Sequence, residues 1–79
     1  MTYEHWTQNV DYPELNDKSV ATVEGNRLTV ALNDTVQTYT FTGTPLARTH
    51  VEFAELTKDE PLCPEDPRHL AKWLGVEIV

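Results

Sequence analysis

Four side chains in this sequence have the chemistry to ligate zinc or, in one case, to act as a nucleophile: His5, His50, His69 and Cys63. Zinc takes about four nitrogen or sulfur ligands, usually supplied as close pairs along the chain. The nearest pair here, Cys63 with His69, follows no such spacing. No metal and no cofactor is therefore expected, and the histidines read as surface or half-buried side chains. A nucleophilic thiol needs a neighbouring base or cation, and Cys63 instead stands among Asp59, Glu60, Glu65 and Asp66. It reads as a small apolar filler in a stiff loop.

Carboxylates are abundant, but acid–base catalysis needs two of them in differently tuned surroundings beside a cleft. A chain of 79 residues whose apolar side chains are spent on a sheet leaves little volume for a cleft of about 300 Å³. Gly25, Gly43 and Gly75 each sit at a turn, so no phosphate-binding loop is present. Catalysis is not expected.

The remaining chemistry belongs to surfaces. Glu52, Glu55, Asp59, Glu60, Glu65 and Asp66 place six acids in residues 52–66, against Lys58 alone. Such a run is ordinarily a solvated loop, and Glu65 and Asp66 also suit the N-terminus of a following helix. The sharper reading is a negative face that docks in a positive groove, with carboxylates where phosphates would lie. Tyr3, Trp6 and Tyr12 form an aromatic set of the type found at interface hot spots, although in a small domain they serve equally as cover for a sheet.

The net charge of −7 points the same way. An acidic chain is repelled by phosphate backbones and anionic lipid, which excludes direct nucleic-acid binding and membrane-surface binding as expectations. There is no run of about 18 apolar residues to span a bilayer, and the first residues lack the basic-then-apolar order of a signal peptide. One cysteine allows no internal disulfide, so a cytoplasmic location is expected.

The elements that must position these residues follow from periodicity. SVATVEGNRLTVALNDTVQTYTF, residues 19–41, predicts three antiparallel strands near 19–23, 27–32 and 35–41, joined at Gly25-Asn26 and Asn33-Asp34. Leu28, Val30 and Leu32 share a core face with Tyr39 and Phe41 of the next strand. Thr29, Ala31, Thr38 and Thr40 face water. Residues 45–56 read either as a helix capped by Thr44 with Pro45 in its first turn, or as a fourth strand. The strand is preferred for its β-branched and aromatic content near 48–56. Pro61 and Pro64 make 57–66 an acidic loop. Asp66 as cap, Pro67 in the first turn, the apolar stripe Leu70, Trp73, Leu74 and the stop at Gly75 predict a short helix, followed by a short strand at 76–79. The stretch HLAKWLGV shares its helix-stop chemistry with helix-turn-helix readers, but no basic second helix follows it, and no family resemblance is drawn.

The sequence thus implies a single α+β domain over residues 1–79: an irregular segment or arm at 1–18, a three- to four-stranded meander at 19–56, the acidic loop at 57–66, and a helix with a terminal strand at 67–79. The expected function is a non-enzymatic protein-binding module. In its concrete form it is a small acidic inhibitor or modulator of a nucleic-acid-handling protein, of mobile-element or phage type. The alternative is an accessory or assembly subunit that self-associates, or joins a larger complex, through a sheet edge.

Overall fold

The computed structural model describes residues 1–8, 11–12, 14, 16–58 and 60–79. Five strands form one antiparallel sheet in sequence order: β1 (Thr2–Thr7), β2 (Asp17–Glu24), β3 (Arg27–Leu32), β4 (Thr35–Thr42) and β5 (Glu77–Ile78). Two helices, α1 (His50–Thr57) and α2 (Arg68–Leu74), lie between β4 and β5 in the chain.

The meander forms as its alternation demands. Leu28 pairs with Val23 on one side and Tyr39 on the other, and Val30 pairs with Ala21 and Gln37. Each tight turn uses one left-handed residue, Gly25 at φ 60° and Asn33 at φ 52°. Asn26, the other residue of the first turn, does not adopt positive φ, as befits a two-residue hairpin with glycine at its first central position.

Two parts of the sheet differ from expectation. The segment at 1–18 supplies a full strand, β1, which pairs Tyr3 with Ala21 and His5 with Ser19. The expected fourth strand near 48–56 is the helix α1 instead. Thr49, extended at φ −96° and ψ 162°, caps it by accepting a bond from the Glu52 amide. The Thr49 hydroxyl also donates to the Glu52 carboxylate at 3.3 Å, so the two side chains of the Thr-x-x-Glu spacing meet at the cap. In a strand Val51 and Phe53 would share a face, whereas here Val51 is 73% exposed and Phe53 fully buried. The helical period puts Phe53 and Thr57 inward together.

One sheet face is covered and the other open. Tyr3, Ala21, Val23, Leu28, Val30 and Phe41 are buried against Phe53 of α1, Leu62 of the loop, and Leu70, Ala71 and Leu74 of α2. Tyr3, Phe53 and Trp73 form a ring cluster with centroids 5.5–5.9 Å apart. On the opposite face the register aligns Thr2, Thr22, Thr29 and Thr38 in one row across four strands, with Glu4, Val20, Ala31 and Val36 in the next. α2 ends as its sequence predicts, at Gly75 with φ 74°, whose amide bonds the carbonyl of Lys72. Among the described residues, no helix is long and apolar enough to cross a membrane.

Candidate partner-binding surface

The expected binding residues separate into three groups. Tyr3 leaves the surface set, because its side chain is 1% exposed and its hydroxyl donates inward to Met1 Sδ and the Arg48 carbonyl. Trp6 and Tyr12 are about half exposed. Trp6 stands on the open sheet face, with the Lys18 ammonium 5.8 Å from its ring centre. The acids lie elsewhere: Glu52 and Glu55 on α1, and Glu60, Glu65 and Asp66 on the proline-rich loop. Asp59 lies outside the described residues.

Local pairing sorts these acids. Arg48 holds Glu52 at 3.0 Å, and this hydrogen bond keeps the Glu52 carboxyl below its usual range. Arg48 itself is fixed by two bonds to the Trp73 carbonyl and by stacking on the Trp73 ring at 5.2 Å. Asp66 is held in the same way by Arg68, at 2.9 and 3.1 Å, and also accepts the Arg68 amide. Its carboxyl is lowered and the Arg68 guanidinium raised, each by the other. Glu52 and Asp66 are thus committed within the chain. Glu55, Glu60 and Glu65 are exposed, and none of them enters an ion pair among the described residues.

The loop that carries Glu60 and Glu65 is pinned to the sheet. The buried Ser19 hydroxyl accepts the Leu62 amide at 3.0 Å, and the Tyr39 hydroxyl donates to the Pro64 carbonyl. Leu62, Pro64 and Pro67 are buried by this course. Two clefts open on either side of it, sharing Glu60, Pro61, Leu62 and Cys63. The first, of about 300 Å³, is completed by Val30, Leu56, Asp66, His69 and Leu70. The second, of about 390 Å³, is completed by Leu32, Thr35, Pro64 and Glu65.

These volumes correct the expectation that a domain so small leaves little volume for a cleft of about 300 Å³. The helices do not cover the whole sheet, and the loop bridges the gap, held by the Leu62–Ser19 and Tyr39–Pro64 bonds. Cys63, His69, Asp66 and Glu60 all belong to the lining of the first cleft, a grouping that the sequence spacing does not reveal. The signal available was the position of His69 in the first turn after Pro67, which turns it back toward the loop. Among the described residues, no three His, Cys, Asp or Glu side chains are arranged to hold a metal ion. The second cleft has an apolar floor and a rim of two exposed carboxylates. It is suited to a side chain with an apolar stem and a cationic head.

Comparison of the chain with protein-family models, with curated proteins and with solved structures found no match.

Proposed function

We propose that this protein is a non-enzymatic protein-binding module that docks on a positively charged surface of a partner, as an acidic modulator of a nucleic-acid-handling protein. The observation that carries this reading is the pair Glu60 and Glu65, exposed at the rim of an apolar cleft. Apolar contact supplies burial and the carboxylates supply orientation and steering, the usual division between the core and rim of an interface. The net charge of −7 adds long-range attraction to a basic partner and repulsion from its competitor, the phosphate backbone. Cys63 is exposed rather than the apolar filler its loop suggests, and a lone exposed thiol fits a reducing compartment such as the cytosol.

The test is capture on immobilised protein from lysate of the source cell or its host, with elution by a salt step. A nucleic-acid-handling protein should leave the column between about 0.05 and 0.5 M salt. The triple variant Glu55→Lys, Glu60→Lys, Glu65→Lys should fail to retain it. Retention unchanged by the triple variant would defeat the acidic reading. The assembly-subunit alternative keeps one specific observation in its favour, namely the outer edge of β4, of which β5 pairs only Phe41 and Thr42.

A further inference from the structure

The two edges of the sheet are not equivalent. Along β1 the core side is occupied by α1, through His5 Nδ1 on the Thr57 hydroxyl at 2.8 Å and the Thr7 hydroxyl on the Thr57 carbonyl at 2.9 Å. That edge also carries the Glu4–Lys18 ion pair. Charge on an edge is one of the devices that discourage strand pairing. The other edge, β4, has none of them over residues 35–39. Its sequence TVQTY holds no charge and no proline and is rich in β-formers.

Backbone alternation shows which groups this edge offers. The Phe41 amide bonds inward to Asn26, whereas the Thr40 carbonyl accepts the Val79 amide on the outer side. Odd residues of β4 therefore point their backbone groups toward β3, and even ones point them outward. Val36 and Thr38 present N–H and C=O groups outward, and no hydrogen bond among the described residues meets them there. Their side chains lie on the open face. Those of Thr35, Gln37 and Tyr39 lie on the core side, where Gln37 is exposed because the covering layer stops short of the edge. The cleft rimmed by Glu60 and Glu65 begins there, since Thr35 and Leu32 belong to its wall.

We propose that residues 35–39 of β4 accept an extended segment of the basic partner as a sixth strand, with a Lys or Arg of that segment seated in the adjoining cleft. The proposal rests on the acidic reading above and gives it a binding mode. Backbone bonds to Val36 and Thr38 hold the segment. Alternate side chains of an added strand fall on the core side, so the basic residue lays its stem on Leu32, Leu62 and Pro64 and brings its head to Glu60 and Glu65. Charge selects this occupant over a second copy of the chain. A copy would bring another −7 and an uncharged strand with nothing to place between the two carboxylates.

The experiment is selection of a displayed library of random short peptides on the full chain, with two counter-baits. Thr38→Pro removes an outward N–H at an edge position where proline is tolerated. The double variant Glu60→Lys, Glu65→Lys reverses the rim. Selected peptides should alternate β-branched or aromatic residues with Lys or Arg. They should bind each counter-bait about tenfold more weakly or worse, and slow the amide exchange of Val36 and Thr38. N-methylation of their alternate backbone amides should cost as much as Thr38→Pro, which keeps the test valid if that variant unfolds. Peptides that ignore N-methylation and Thr38→Pro but are lost on rim reversal would overturn strand addition and leave the acidic reading standing. Peptides that need the edge but tolerate rim reversal would overturn the acidic reading and this inference with it. Absence of enrichment, or concentration-dependent pairing of the protein through β4, would also overturn the proposal.

Discussion

Ser19 and Glu52 show what single side chains contribute here. Ser19 is fully buried, and its hydroxyl is the acceptor for the Leu62 amide. Ser19→Ala leaves that N–H buried without a partner, at a cost of about 1–3 kcal/mol. In a domain of this length the total is only about 4–12 kcal/mol at the usual stability per residue. The expected result is a lower urea midpoint with an unchanged slope. A midpoint within error of the wild type would show that water replaces the serine. Glu52 works through charge. Its folded pKa lies below the ordinary value because Arg48 bonds the carboxylate, so its contribution is complete above the ordinary range and is lost as pH falls through the folded value. Glu52→Gln keeps the Arg48 contacts to Trp73 and removes the charge. The melting temperature of this variant should lie below the wild type at neutral pH and converge with it in acid, as pH falls below the ordinary carboxylate range and through the lowered folded value. A gap that persists in acid would assign the effect to packing.

At the scale of elements, what was legible depended on how local the determinants are. Strands β2, β3 and β4 and the stop of α2 are written in period-two alternation and in turn residues a few positions apart, and they stand where the sequence puts them. α1 forms against its content, since Val51 and Phe53 favour a strand while the Thr49 cap on the Glu52 amide decides for the helix. β1 gave little signal because it buries one large side chain, Tyr3, and leaves His5 and Thr7 half covered. The clefts were not legible at all. They depend on the path of the loop at 60–66, set by bonds that join residues 43 and 25 positions apart, Leu62 to Ser19 and Pro64 to Tyr39. The end of α2 can be tested directly. A Cβ on Gly75 would sit at φ 74° and 3.3 Å from Leu46 Cγ and Cδ1. Gly75→Ala should cost about 1–2 kcal/mol from the left-handed backbone alone. Gly75→Asn should cost less, since asparagine visits that region more readily. Equal losses in thermal melts would point to the Leu46 contact as the cause.

At the scale of the whole molecule the charge distribution has a consequence for stability that is independent of any partner. The three ion pairs found among the described residues, Glu4–Lys18, Arg48–Glu52 and Asp66–Arg68, all have partly exposed side chains. Solvent screens such pairs, and holding two long side chains in one geometry costs entropy, so each contributes little. Against them stands the mutual repulsion of thirteen acids balanced by only six bases, in a body of 40 × 23 × 17 Å. At an ionic strength of about 0.01 M the screening length is about 30 Å, so most charges in the fold feel one another. At about 0.15 M it is about 8 Å, and only neighbours interact. Sodium chloride over this range should therefore remove more repulsion than attraction and raise the melting temperature. One kcal/mol corresponds to about 4–8 °C in a domain of this size, so a rise of several degrees is the expected reading in a calorimetric salt series. The rise should shrink in the Glu60→Lys, Glu65→Lys variant, whose net charge is closer to zero. A melting temperature that falls with salt in the wild type would mean that local pairs outweigh the net charge. The fold would then bear no strain from its acids that a basic partner could relieve.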